Sequence, residues 1–188
     1  MSVVAIERAS RLGVRALLAW SALGAALESV TCWRFWGEAD LVPYCYIGAL
    51  AVVLSAYDIA AYRLPNRIVL PSYPIVFALL AFAAGMDDEW SALLRAGIAM
   101  VFCLAGYLVL ALALPGQLGM GDVKLAGIVG AACGFLSWQH LFAGVLFGFV
   151  LAAVATAPLV ALGRIERRTR VPFAPYMLAG ALFAIMMR

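Results

Sequence analysis

Seven apolar runs, most of them about as long as a membrane-spanning helix, constrain the fold of this sequence more than any other feature. A helix needs about 20 apolar residues to cross the hydrocarbon core of a bilayer, and a lipid-exposed span must satisfy its backbone hydrogen bonds internally. The sequence therefore predicts an all-α, polytopic integral membrane protein with six or seven transmembrane helices. The predicted spans are residues 16–32, 42–62, 68–86, 92–114, 123–138, 141–162 and 172–187.

The composition leaves little room for a second, soluble domain. Of the 188 residues, 66% are hydrophobic and 12% are charged, whereas a soluble domain is about half apolar and about one quarter charged. We therefore expect one membrane-embedded domain over residues 1–188. The net charge of +3 does not indicate nucleic-acid binding.

The four cysteines form no CxxC motif, which argues against a zinc ribbon or a thioredoxin-like site. Cys32 and Cys45 both fall near the predicted outer face of the membrane. Spacing alone cannot establish the geometry that a disulfide needs, so whether these two residues form a disulfide stays an open question.

The distribution of Lys and Arg residues predicts the orientation of the chain. With the N-terminus inside the cell, ten of the 13 Lys and Arg residues fall in inner segments and three, Arg34, Arg95 and Arg188, fall in outer segments. Because cytoplasmic segments are enriched in Lys and Arg, the sequence favours a cytoplasmic N-terminus. This orientation puts the end of the second span and the start of the fifth at the cytoplasmic face.

Two carboxylates are predicted to meet at that face. Asp58 lies 16 positions after Val42, which is about 24 Å along a helix, in a hydrocarbon core about 30 Å thick. Asp122 opens the fifth span and follows Gly119 and Gly121, which lack side chains and let another backbone approach. An acid at a membrane edge is costly to hold, so we interpret both residues as candidates for a functional site.

Each acid also has a purely structural interpretation. Asp58 can be a loop acid that Arg63 or Arg67 neutralises, and Asp122 can be the N-cap of a helix after a tight turn. The shared depth of the two acids favours the functional interpretation.

Two neighbouring carboxylates supply the chemistry of aspartic proteases. They cannot both ionise cheaply, so one keeps a proton while the other stays charged. The charged carboxylate takes a proton from water, and the protonated one donates to a carbonyl oxygen. We expect Asp58 and Asp122 to act in this way, with no metal and no cofactor. His140, the one histidine, is predicted on the far side, and which aspartate holds the proton stays open.

Two further stretches contain prolines near the predicted inner face. Pro65 and Asn66 follow the second span and suit a turn or a helix cap. Pro172, Phe173 and Pro175 open the seventh span, where they predict either a stiff helix start or a non-helical segment that lines the site.

Together these residues resemble the type IV prepilin peptidase family. Residues 119–125, GMGDVKL, match its GxGD signature, and Asp58 before Pro65-Asn66 is similar to its first motif. Residues 172–175, PFAP, are similar to its late PFGP segment, with Ala174 where glycine is usual. The three motifs occur in the family's order, and the resemblance covers about residues 47–188, the expected catalytic core.

The resemblance implies an integral-membrane aspartyl endopeptidase with its active site at the cytoplasmic face of a prokaryotic inner (plasma) membrane. Such an enzyme cleaves the basic leader from type IV prepilins or pseudopilins, in type IV pilus assembly or protein secretion. By this resemblance Asp58 and Asp122 are catalytic. The residues expected to shape the loop or bind substrate are Gly119, Gly121, Lys124, Pro65, Asn66, Pro172, Phe173 and Pro175. Because nothing matches the paired CxxC segment of members that also methylate their product, we expect a minimal peptidase.

Other functions stay open. A presenilin-like GxGD protease shares the signature, and Tyr57 before Asp58 partly matches the first motif of that group. A small proton- or cation-coupled transporter could use the same acids, although spans three, five and six contain almost no other polar residues. A structural subunit gives no reason for two acids at one depth. Membrane lipids are expected partners, and the oligomeric state and the particular prepilin are undetermined.

Overall fold

A computed structural model describes residues 3–114, 118–163 and 171–188, with side chains described from Leu18 onward. Seven α-helices and no strand are found in these ranges. The helices are α1 (Val3–Arg34), α2 (Leu41–Ala61), α3 (Asn66–Asp87), α4 (Trp90–Ala113), α5 (Met120–Leu136), α6 (Trp138–Ala161) and α7 (Ala174–Met186). The predicted all-α fold is confirmed.

Several predicted features lie outside the described residues. Residues 115–117 belong to the predicted loop before the fifth span. The same applies to the basic residues predicted inside at 164, 167, 168 and 170, and to the side chains of those at 8, 11 and 15.

Four of the helices, α2, α3, α4 and α6, are long and apolar enough to cross a membrane. α5 and α7 are shorter, with 17 and 13 residues, as the short fifth and seventh predicted spans indicated. α1 is longer than predicted, because its helix begins at Val3 and not at residue 16. The basic segment, residues 3–15, contains three Arg and two Ala residues, which are good helix formers, so the helix continues through it. The architecture is that of a polytopic membrane protein.

The helix α5 occupies the centre of the bundle and packs against α3, α4, α6 and α7. Val123 and residues 125–135 are all buried. Glycine allows the close contact with α4, since a Cβ atom at Gly130 would lie 2.6 Å from the carbonyl oxygen of Ala99. The contact between α6 and α7 is equally close, because a Cβ atom at Gly180 would lie 2.6 Å from the carbonyl oxygen of Gly144. These contacts fit the packing role that GxxxG spacing predicts in membrane helices.

One end of the bundle gathers the three basic residues that were predicted to lie outside. The Arg95 guanidinium donates to the carbonyl oxygens of the last turn of α5, 2.7 Å from Gly134 O and 3.0 Å from Leu136 O. These are carbonyl groups that a helix end leaves unpaired. Arg34 and Arg188 both pair with Glu38, which precedes α2. The end of α2 and the start of α5 therefore meet at the opposite end of the bundle.

Candidate active site

Asp58 lies on the last turn of α2 and is buried, with 5% of its surface exposed. The helix stops four residues later at Tyr62, which adopts the left-handed conformation (φ 51°, ψ 32°) and donates its backbone N–H to the carbonyl oxygen of Asp58, at 2.8 Å. A left-handed residue is a common way to end a helix. The chain then runs through Pro65, which disfavours helical geometry in the residue before it, and α3 begins at Asn66.

Asp122 lies in the first turn of α5, three positions after the residue that caps the helix. α5 begins at Met120 and its N-cap is Gly119, so the prediction of a helix starting at residue 123 is corrected, and Asp122 is not the N-cap. The Gly119 backbone N–H donates to Asp122 Oδ2 at 3.1 Å. A carboxylate three residues after the N-cap can reach back to that unpaired N–H group, and this local bond extends the helix.

Both acids line one cavity of about 270 Å³ at this end of the bundle. Four of the other residues predicted for the site also line it, namely Gly119, Gly121, Lys124 and Asn66. Within the described ranges, no group of three or more His, Cys, Asp and Glu side chains is arranged to hold a metal ion.

Gly121 forms the point of closest approach between the start of α5 and the connection from α2 to α3. A Cβ atom at Gly121 would lie 3.0 Å from Leu64 Cβ, which is closer than such atoms normally come. Because Gly121 has no side chain, Leu64 packs directly against the helix that carries Asp122. This contact brings the two acid-bearing segments together.

Lys124 connects α5 to the start of α3. Its Nζ donates to Asn66 Oδ1 at 3.0 Å, and its carbonyl oxygen accepts a hydrogen bond from the Tyr73 hydroxyl. Two residues that were predicted separately, Lys124 and Asn66, therefore form one polar contact at the cavity.

The late proline segment contacts the site through its backbone. Residues 171–173 are not helical and α7 begins at Ala174, so the predicted helix start at residue 172 is two residues early. The Ala174 backbone N–H donates to Asp58 Oδ2 at 3.0 Å. Pro172, Phe173 and Pro175 are not among the residues that line the cavity. They flank the donor instead, and Pro175 occupies a position where a helix needs no N–H partner.

Phe173 is held by two other aromatic rings. Its centroid lies 5.3 Å from that of Phe149 on α6 and 6.3 Å from that of Tyr107 on α4. Tyr107 and Phe149 also stack on each other, at 5.6 Å and 25°. This three-ring cluster fixes the residue that immediately precedes the Ala174 donor.

Sequence reasoning missed four residues that line the cavity: Tyr62, Arg63, Leu64 and Met120. Arg63 was considered as a partner of Asp58, but not as part of a cavity wall. The only signal for these residues was their position beside the predicted motifs. A left-handed Tyr62 was not predictable, because positive φ is uncommon outside glycine, asparagine and aspartate.

The fold and this site define an all-α membrane protein with two carboxylates at helix ends beside one cavity. Comparison with known proteins gives the family. Residues 45–161 match the type IV leader peptidase family, and the chain belongs to that family. The resemblance that the three motifs indicated is therefore confirmed.

One curated relative carries a more specific name. The chain is 29% identical over 153 residues to the prepilin leader peptidase/N-methyltransferase of Bacillus subtilis (strain 168). The match covers 81% of this chain and 58% of that relative, so the chain spans well under two thirds of the relative's length. No solved structure matches the chain significantly.

Proposed function

We propose that this protein is an aspartyl endopeptidase that removes the leader peptide of type IV prepilins or pseudopilins, with Asp58 and Asp122 as its catalytic pair. The observation that carries the proposal is that both acids line the same cavity, in a chain that belongs to the type IV leader peptidase family. The prepilin substrate is inferred from that family and from the name of the Bacillus subtilis relative.

The proposed reaction is the hydrolysis of a peptide bond by water. One carboxylate is ionised and takes a proton from a water molecule as its oxygen attacks the carbonyl carbon of the scissile bond. The other carboxylate donates its proton to the carbonyl oxygen. The proton taken from water then passes to the leaving amine as the C–N bond breaks.

Backbone groups hold the two carboxylates in place for this reaction. Ala174 N–H binds one oxygen of Asp58, and Gly119 N–H binds one oxygen of Asp122. Hydrogen bonds to a charged acceptor are among the stronger ones in proteins. Gly121 brings the two acid-bearing segments together, and the contact between Lys124 and Asn66 braces the rim of the cavity.

We propose that the site opens at the cytoplasmic face of a prokaryotic inner membrane. The distribution of Lys and Arg supports this orientation, as does the common end of the bundle that Asp58 and Asp122 share. Two cationic side chains, Arg63 and Lys124, line the cavity, so it does not attract the basic leader by charge alone. Anionic lipid beside the site supplies the missing attraction.

The experiment that tests this function measures cleavage of a prepilin-type substrate in membranes that contain the full chain. Asp58→Asn and Asp122→Asn keep the shape of each side chain and remove its acid, so each is expected to abolish cleavage. Asp88→Asn is the matched control. This residue has a left-handed backbone (φ 55°) at the far end of α3, a conformation that asparagine adopts readily, and we expect wild-type cleavage.

The amount of each variant inserted in the membrane must be equal for the comparison to count. Near wild-type cleavage by either site variant would refute the catalytic pair. A wild-type protein that cuts no prepilin-type substrate at the leader boundary would refute the substrate class. The mass of the mature product also reports whether its new N-terminus has been methylated.

A further inference from the structure

A pair of thiols lies where α1 and α2 meet, at the end of the bundle opposite the acid-lined cavity. Cys32 Sγ and Cys45 Sγ are 3.7 Å apart, and both residues are half-buried. Cys32 belongs to the last turn of α1, and Cys45 lies just after the start of α2. The connection between the two helices therefore brings the two sulfur atoms side by side.

We propose that Cys32 and Cys45 form a disulfide that fastens α1 to α2 at the external face of the membrane. On the orientation predicted from Lys and Arg, this end of the bundle faces the external compartment, which is oxidising enough for disulfides to form and persist. The sulfur atoms need only a small approach from contact distance to reach a bond length of about 2 Å. The other cysteines, Cys103 and Cys133, are buried in the bundle and serve as internal controls.

A carboxylate adjoins this pair and can accept a thiol proton. Glu28 lies one turn before Cys32 on α1, and its carboxylate is within hydrogen-bonding reach of the Cys45 thiol. Its Oε1 atom is buried and has no hydrogen-bond partner within the described part of the chain. That atom lies against α2, 2.7 Å from where a Cβ atom at Gly48 would be. An unpaired buried oxygen of this kind is costly to maintain.

The oxidant is an external disulfide, and the reaction is thiol–disulfide exchange. Cys32, as its thiolate, attacks one sulfur of the oxidant and releases the first thiol of the oxidant, which takes up the proton that Cys32 lost. Cys45 then attacks the sulfur of Cys32 and forms the intramolecular bond. Its proton passes through Glu28 to the departing sulfur, which leaves as the second thiol. Two protein thiols are oxidised to one disulfide, and one external disulfide is reduced to two thiols.

The cross-link acts on stability and not on the proposed catalytic pair. α1 makes its main contacts with α2, so a covalent bond near the end of α1 restrains this pair of helices. Thirteen positions separate the two cysteines. Closing a loop of this size in the unfolded chain gives a rise in unfolding temperature of roughly 5–10 °C. Cleavage at the far end of the bundle is expected to be unchanged.

Thiol trapping in intact cells that express the full chain tests this proposal. N-ethylmaleimide, which crosses membranes, blocks free thiols under denaturing lysis, and a heavier maleimide then labels the thiols that appear after reduction. We expect the heavier label on Cys32 and Cys45, and N-ethylmaleimide on Cys103 and Cys133. In the Cys45→Ser variant, Cys32 should carry N-ethylmaleimide instead.

Reduction should also lower the unfolding temperature of the wild-type protein in detergent by roughly 5–10 °C and leave that of Cys45→Ser unchanged. Cys32→Ser serves as the second variant if Cys45→Ser does not accumulate. N-ethylmaleimide on both Cys32 and Cys45 of the wild-type protein would overturn the proposal. A disulfide that links two chains, visible as a dimer on a non-reducing gel, would overturn it as well.

Discussion

Replacing Phe173 by alanine is expected to slow cleavage as well as to lower stability. The ring of Phe173 contacts Phe149 and Tyr107 at centroid distances of 5.3 and 6.3 Å. Each such aromatic pair contributes about 0.5–1.5 kcal/mol beyond the burial of its area, so loss of both, added to the lost burial of the ring, lowers the free energy of unfolding by at least about 1–3 kcal/mol. Phe173 is also the residue directly before Ala174, so its anchoring fixes the position of the Ala174 N–H.

The effect on cleavage follows from the hydrogen bond that this N–H donates to Asp58, at 3.0 Å. A hydrogen bond to a charged group contributes about 1.5–3 kcal/mol. If the Phe173→Ala change moves Ala174 so that this hydrogen bond is lost, cleavage slows by about 10- to 150-fold, since about 1.4 kcal/mol changes a rate tenfold. Partial displacement of Ala174 gives a value at the lower end of this range.

Phe147→Ala is the matched control for this experiment. Phe147 on α6 packs edge-to-face against Phe183 on α7, with centroids 4.5 Å apart, so it joins α6 to α7 away from the cavity. Both variants should unfold at lower temperature in detergent, and only Phe173→Ala should cleave a prepilin-type substrate much more slowly. Equal cleavage rates in the two variants would refute the reasoning, because the aromatic cluster would then stabilise the bundle without positioning the donor.

Two smaller perturbations test the packing of α5 against α4 and the polar contact at the rim of the cavity. Gly130→Ala should lower the free energy of unfolding by about 1–3 kcal/mol, because its Cβ would meet the Ala99 carbonyl oxygen at 2.6 Å. Gly97→Ala is the control and should not lower it, because a Cβ atom there meets open space. Equal melting temperatures of the two variants would contradict this expectation. Lys124→Met removes the hydrogen bond to Asn66, a half-exposed contact worth less than about 1 kcal/mol. The rate of cleavage should therefore fall by less than about fivefold. Complete loss of cleavage would contradict this and give Lys124 a larger role.

The helices and the placement of the two acids at one end of the bundle could be predicted from the sequence, because both depend on residues close to one another in the chain. The position of Asp58 followed from counting along one apolar run, and that of Asp122 from the start of another. The predicted boundary at Asp122 was less accurate. An aspartate can cap a helix, but here its carboxylate accepts a hydrogen bond from the Gly119 N–H, and the helix begins at Met120. A local pattern permits both arrangements.

The contact between Ala174 and Asp58 was beyond prediction from the sequence. The two residues are 116 positions apart, and the donor is a backbone N–H that every residue except proline possesses. Its place depends on how α7 packs against α2 and α6, and on an aromatic cluster with members on three separate segments. The prolines around Ala174 indicated that the segment was unusual, but not which atom of it would reach the acid.

The placement of three helix ends explains how a membrane protein can keep two acids together. Asp122 lies in the first turn of α5, and Asp58 accepts a hydrogen bond from the first residue of α7. The N-terminus of a helix carries a partial positive charge of about half an elementary charge, together with unpaired N–H groups. Two such ends meet the carboxylates directly, so part of the cost of holding negative charge at this edge is offset by backbone. The glycine before α5 and the prolines around the start of α7 then have the same effect. They place the beginning of each helix beside an acid, so that the N–H groups of Gly119 and Ala174 face the carboxylates.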